Sequence, residues 1–164
     1  MRNFIKKRLH EELNIPSFRL PKNILLSRDE LSRLKALKWS DIKIEDNGGE
    51  GNIAHLSILF PFPTQASEGI VIDIQVIHGA IYQVHIHMIE QLRGMGLGYN
   101  IYKALIADLG HIYSGRGRRM SPYITKIWDK LHTDNEISCI TNENGDLCMR
   151  KDNPDKENLV KFMN

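Results

Sequence analysis

Long apolar segments are missing from this 164-residue chain. No apolar run reaches the roughly 18 residues that a membrane-spanning helix requires. The first residues, MRNFIKKRLHEEL, carry scattered charges and lack the apolar core of a secretory signal. We therefore expect a protein that stays in the cytoplasm, or in the host cytoplasm if the protein is viral.

Cysteine is scarce. The two cysteines, Cys139 and Cys148, lie in a segment whose pattern predicts a β-hairpin. Without an export signal we expect free thiols rather than a disulfide. A zinc site built from these cysteines with His85 and His87 is disfavoured, because the cysteines lack the spacing of a ligand pair. The sequence thus predicts no metal site.

A strong excess of either charge is also absent, with 22 basic and 20 acidic residues. The net charge does not by itself imply a nucleic-acid partner. Basic residues do cluster locally, at Lys6, Lys7 and Arg8, and again at Arg116, Arg118 and Arg119. The second cluster would either contact phosphates or an acidic substrate, or be a solvated turn.

Hydrophobic periodicity changes from helical to alternating and back along the chain. It predicts helices at 2–13, from the capping box at 27–30, at 99–109 up to Gly110, and from Ser121-Pro122 to Leu131. A turn is predicted at 47–52, and strands at 53–60, 70–77, 81–89, 111–114, 136–140 and 147–150. This order predicts an α+β fold, with a central mixed, mostly antiparallel sheet flanked by helices. We expect an N-terminal helical segment and linker at 1–45 and one domain at 46–164.

Glycines at 94, 96 and 98 stand between a predicted strand and a predicted helix. Glycine lets backbone N–H groups approach a ligand, and the helix start adds further N–H groups and a positive dipole end. The loop is therefore a candidate pyrophosphate site. It is not a dinucleotide fingerprint, because Tyr99 occupies the third glycine position, and the chain contains no NTPase phosphate-loop motif.

The segment Arg93-Gly94-Met95-Gly96-Leu97-Gly98 resembles the pyrophosphate loop of the GNAT superfamily of N-acetyltransferases. That loop has Arg or Gln, two residues, Gly, one residue, and Gly or Ala. A frame beginning at Gln91 also fits, but the first frame places the following helix better on the sheet. The resemblance runs from about 53 to 150. It includes Ile127-Trp128-Asp129-Lys130-Leu131, which is similar to a segment of small GNAT-like proteins of tailed bacteriophages.

The resemblance implies transfer of an acetyl group from acetyl-CoA to an amine of a protein, small molecule or nucleobase. It also implies a backbone N–H near Met88 as the oxyanion donor, and Trp128 as a wall of the acyl pocket. The implied cofactor-binding residues are Met88, Arg93, Gly94, Met95, Gly96, Leu97, Gly98 and Trp128.

The catalytic pattern departs from the family at two positions. Tyr82 stands where the family commonly has its glutamate base, which leaves His85, His87 and Glu90 as candidates. The alternative is that both histidines only line an exposed strand face.

Trp128 stands where the family usually has a tyrosine that acts as the general acid. An indole cannot protonate a thiolate. Tyr123 lies on another side of the same helix and cannot simply replace it. Tyr113 and water are further candidates.

Two other functions stay open from the sequence. One is a catalytically inactive GNAT-shaped module, such as a phage accessory or structural component, that docks on a partner through residues 2–13. The other is a nucleic-acid-binding domain that uses the two basic clusters.

Overall fold

The computed structural model describes residues 19–115 and 122–164. The predicted helix at 2–13 and the arginine cluster at 116–119 lie outside these residues. Within the described chain, no helix is both long enough and apolar enough to cross a bilayer.

Seven strands form one mixed sheet in the order β1-β2-β3-β4-β5-β7-β6. Every neighbouring pair is antiparallel except β4 and β5, which run parallel. Their bounds are β1 Lys43–Glu50, β2 Ile53–Leu59, β3 Ile70–Ile77, β4 Ile81–Met88, β5 His111–Gly115, β6 Ile137–Asn142 and β7 Gly145–Arg150. The α+β class and the mostly antiparallel sheet are confirmed.

Within the described residues, four α-helices accompany the sheet: α1 Arg28–Lys35, α2 Leu97–Leu109, α3 Pro122–Thr133 and α4 Lys156–Met163. The capping box is present at α1, where Ser27 and Glu30 exchange side-chain to backbone hydrogen bonds. Helix α2 ends at Gly110, as its pattern predicts. Helix α4 was not predicted.

The two faces of the sheet differ. One face packs on α1, α2 and α3 around a large apolar core that includes Leu34, Ile72, Ile101 and Trp128. The other face carries a smaller apolar cluster under α4, with Leu147 and Leu159 among its members. Leu26 and Ile42 also belong to the large core, and the expected boundary at residue 45 stays a prediction.

The predicted turn at 47–52 is wrong over most of its length. Strand β1 runs on to Glu50, and only Gly51 and Asn52 form the turn. The register shifts between Asp46 and Gly49, which marks a bulge in the ladder with β2. Because a bulge admits glycines inside a strand, a glycine-rich stretch did not end this one. Four antiparallel strands, not three, therefore precede the glycine loop.

The expectation of free cysteines is also wrong. Cys139 and Cys148 form a disulfide, and the structure describes no free cysteine. The reason is register: β6 and β7 are joined through a two-residue turn, with Asn142 opposite Gly145, and Cys139 then falls directly opposite Cys148. Their Cα atoms are 4.2 Å apart, so local geometry outweighs the argument from cellular compartment.

Candidate functional site

Strand β4 leads into the glycine loop and has two unlike neighbours. It pairs with β3 over its whole length, from Ile81 to Met88. With β5 it shares a single register pair, Gln83 with Tyr113, among the described residues. Strand β5 ends at Gly115, at the edge of the described residues, so its described part lies beside the first half of β4.

The backbone of Met88 faces the β5 side of β4. Ile89 N donates to Gly69 O at 3.0 Å, toward β3. In an antiparallel ladder, hydrogen-bonded and non-hydrogen-bonded pairs alternate. Met88, opposite Ile70, is then a non-hydrogen-bonded position, so its N–H and C=O are directed away from β3 and toward the side of β5.

The loop itself is open at two glycines. Gly94 and Gly96 have φ values of +79° and +83°, which strain any other residue. No heavy atom of the described residues lies within 4 Å of a Cβ built at either one. Gly96 is the N-cap residue of α2, where no side chain caps the helix and the first turn has no acidic residue. The first-turn N–H groups and the helix dipole therefore suit an anion.

Gly98 has a different role from the other two glycines. A Cβ on Gly98 would lie 2.5 Å from Tyr123 Oη and 2.6 Å from Ile127 Cδ1. This glycine lets α3 pack closely across the start of α2. Leu97 is buried and Met95 half-buried beside it, so the tail of the motif serves packing.

Arg93 connects the loop to both neighbouring elements. Its Nε donates to Met88 O at 3.0 Å, and its guanidinium lies 5.8 Å from the ring centroid of Tyr123. Gln91, the start of the alternative frame, instead bonds the backbone of Leu26 through both its amide atoms. Arg93 is therefore held beside the loop, whereas Gln91 is directed toward Leu26.

The two predicted histidines lie on the face of the sheet opposite α2 and α3. The alternate β4 residues, from Tyr82 to Met88, point into the large core, so His85 and His87 point the other way. Burial lowers the pKa of His87, and the nearby charge of Arg93 lowers it further, while Asp73 opposes the shift. The side chain of His87 is therefore neutral at neutral pH. Glu90 follows in a short 3-10 turn and is exposed.

Sequence reasoning missed the charged residues beside these histidines. His55, Asp73 and His85 lie directly across from one another on β2, β3 and β4. His55 Nδ1 is 2.6 Å from Asp73 Oδ1, and Arg19 Nε donates to the same oxygen at 3.1 Å. The signal was a lone aspartate in the apolar run Ile70–Ile77.

The aromatic candidates separate clearly. Trp128 is buried, lies edge-on to Tyr102, and has no hydrogen-bond partner for Nε1 among the described residues. Tyr82 is also buried and stacks on His111.

The two tyrosines proposed as acids differ in position. Tyr113 donates to Asn144 O at 2.8 Å, in the β6–β7 turn. Tyr123 Oη, in contrast, lies 3.3 Å from Met88 Sδ beside the loop, and burial raises its pKa. Of the two, only Tyr123 contacts the end of β4.

A separate cavity lies near α2 and the start of β6, with Trp39, Lys103, Glu136 and Arg150 in its wall. Lys103 is 2.9 Å from both Asp134 and Glu136. The charge of Lys103 is thus paired within the protein, and the described lining of this cavity does not include the glycine loop.

Comparisons with protein-family models, with curated proteins and with solved structures give no match. The function must therefore be argued from the site alone.

Proposed function

We propose that this protein is a GNAT-type N-acyltransferase that uses acetyl-CoA and an amine acceptor. The observation that carries the proposal is the position of the open glycine loop. It joins the end of β4, where the Met88 N–H is directed away from β3, to the start of α2, which no side chain of the described residues caps, so a backbone donor and an anion site lie side by side.

The residues fit the pyrophosphate of coenzyme A. Gly94 and Gly96 leave the loop backbone accessible, since no atom of residues 19–115 or 122–164 occupies the space where their side chains would stand. The first-turn N–H groups of α2 and the charge of Arg93 would hold the phosphates. When bound, acetyl-CoA supplies an acetyl group activated as a thioester. Met88 N–H, directed toward β5, would donate to the carbonyl oxygen as negative charge develops.

His87 is the favoured base. Its lowered pKa keeps the ring neutral at neutral pH, as a proton acceptor requires. It is also the histidine next to Met88 on β4, whereas His85 lies two residues further from the loop and opposite Asp73. His87 would remove the proton from the attacking amine.

Tyr123 is the favoured acid. Its raised pKa keeps the hydroxyl protonated, and that hydroxyl lies against the Met88 side chain. It would return a proton to the leaving thiolate. Trp128 would act only through packing, because its side chain is buried behind Tyr102.

An inactive GNAT-shaped module is the second candidate. Buried aromatic residues, Tyr82 and Trp128, stand at both positions where the family usually has catalytic side chains. In this proposal residues 2–13 would dock on a protein partner. A contact of Arg116, Arg118 and Arg119 with nucleic acid is disfavoured.

The test is acetyl transfer. Purified protein is incubated with acetyl-CoA and a panel of a polyamine, a lysine-containing peptide and an aminonucleobase, and thiol release is measured. We expect transfer to at least one amine above the buffer rate, and none with the Gly96→Val variant. Binding of acetyl-CoA without transfer to any amine would favour the inactive module.

A further inference from the structure

A second group of reactive side chains lies away from the glycine loop. One ligand atom from each of His132, Cys139 and Cys148 lies within 4.8 Å of the others. His132 stands in the last turn of α3, and the cysteines face each other on β6 and β7. The group therefore joins a helix end to a hairpin.

Polar neighbours orient the histidine. His132 Nε2 is 3.3 Å from Asp146 Oδ1 and 3.2 Å from Thr141 Oγ1. Thr141 lies opposite Asp146 in the ladder, two residues from the cysteine pair, so both pairs share one face of the hairpin. A carboxylate beside an imidazole is the usual outer partner of a metal-binding histidine.

The burial of the three residues is graded. Cys148 is fully buried, Cys139 is half-buried and His132 is exposed. A metal ion or a small thiol thus has a path from solution on the side of His132, while the inner ligand is shielded from water.

We propose that the reduced hairpin binds one Zn²⁺ ion through His132, Cys139 and Cys148, with water in the fourth position. Two thiolates and an imidazole are a ligand set that zinc favours. This differs from the sequence analysis, which predicted no metal site and considered the cysteines only with His85 and His87.

The disulfide and the metal site exclude each other, because the same sulfur atoms serve both. A dithiol reductant donates two electrons and two protons to the disulfide and becomes a disulfide itself. Zn²⁺ then replaces the two thiol protons, which are released. A small-molecule disulfide reverses the change by taking two electrons from the thiolates, and the ion leaves. The hairpin is therefore a redox-controlled zinc site.

Cobalt(II) is the spectroscopic probe for this site. Protein reduced with a phosphine and freed of metal is titrated with Co²⁺, and then with Zn²⁺ as competitor. We expect one Co²⁺ per chain, with thiolate charge-transfer and tetrahedral d–d bands that Zn²⁺ removes. The oxidised protein should show no such bands.

Two variants and a control assign the ligands. Cys139→Ser should abolish the charge-transfer bands, and His132→Asn should weaken Co²⁺ binding by at least about tenfold. His78→Asn, in the β3–β4 turn, should bind like the wild type. If Cys139→Ser fails to fold, the exposed His132→Asn variant decides.

Absence of the bands in reduced wild-type protein overturns the proposal. So does Co²⁺ affinity that is unchanged in His132→Asn. Neither result depends on acetyl-CoA, so this site can fail without affecting the proposed acyl transfer.

Discussion

The two sides of β4 differ in how far they are paired. Toward β3 the ladder is continuous, from Ile70 opposite Met88 to Ile77 opposite Ile81. Toward β5 a single pair remains among the described residues. A continuous ladder consumes its backbone groups, whereas an interrupted one leaves N–H groups for a ligand. The N–H of Met88, which is directed away from β3 beside the glycine loop, is the backbone group that the proposed function uses.

The turn before β4 and the loop after it each contain a glycine with positive φ, and the two glycines form a matched pair. Gly79, in the β3–β4 turn, has a φ of +75°, and Gly96 has a φ of +83°. Neither has an atom within 4 Å of a Cβ position. The same substitution should strain both backbones similarly, yet only Gly96 adjoins the proposed anion site.

The largest expected effect on cofactor binding is that of Gly96→Val. A β-branched side chain would stand between a phosphate and the loop N–H groups. We expect acetyl-CoA affinity to fall more than about 100-fold, a loss of about 2.7 kcal/mol, measured by calorimetry. Gly79→Val should lower the melting temperature of the protein as much as Gly96→Val does, but it should bind acetyl-CoA with the affinity of the wild type. Equal affinities in the two variants would mean that the phosphate is held elsewhere.

Replacement of His87, the proposed base, should lower the rate of acetyl transfer. His87→Asn should lower kcat by about 10³-fold, within the range for loss of general base help, and leave acetyl-CoA affinity within about twofold.

The pH profile adds a second readout. In the wild type the neutral ring is the active form, so kcat/KM should rise with pH through a pKa below the ordinary 6.5. His78→Asn is the control. A large loss in His85→Asn with none in His87→Asn would transfer the role to His85.

The proposed acid should show a smaller effect. Tyr123→Phe removes the hydroxyl beside Met88 and keeps the ring under Arg93. We expect kcat to fall about 10²-fold, the low end for general acid help, with KM for acetyl-CoA nearly unchanged. Tyr113→Phe, near the β6–β7 turn, should leave kcat unchanged. The opposite pattern would assign the acid to Tyr113.

The smallest effect concerns a single amide. His87 N–H lies on the β3 side of β4, and Met88 N–H lies on the other. Hydrogen exchange followed by NMR should be slower at His87 than at Met88 in the free protein. Of these two amides, acetyl-CoA should slow exchange only at Met88. Complete protection of the Met88 amide without ligand would contradict its proposed role as a hydrogen-bond donor to acetyl-CoA.

Local patterns in the sequence predicted local structure. The alternating run Ile70–Ile77, the capping box at Ser27 and Glu30, and the glycines before α2 each act within a few residues. They were sufficient for the sheet class, most strands and the place of the loop. The glycines themselves indicated a tight turn that brings backbone N–H groups to the surface of the loop. The structure agrees, because Gly94 and Gly96 adopt positive φ.

Features set by register between distant segments could not be predicted. Asp73 meets His55 and Arg19 only after three parts of the chain fold together. The cysteine pair depends on a turn that is two residues long, where the pattern indicated a longer one. Tyr123 reaches Met88 only because α3 crosses α2 at Gly98. Strand β1 was missed because its glycines form a bulge, which their identity alone does not distinguish from a turn.

Calorimetric titration of the wild-type protein with acetyl-CoA tests the central claim most directly. The account predicts one site per chain. It also predicts that acetyl-CoA raises the melting temperature, because ligand at about 100 times its dissociation constant adds about 2.7 kcal/mol to the free energy of unfolding. Desulfo-coenzyme A, which keeps the pyrophosphate, should compete for the same site. No heat and no thermal shift at millimolar acetyl-CoA would contradict the assignment of the glycine loop.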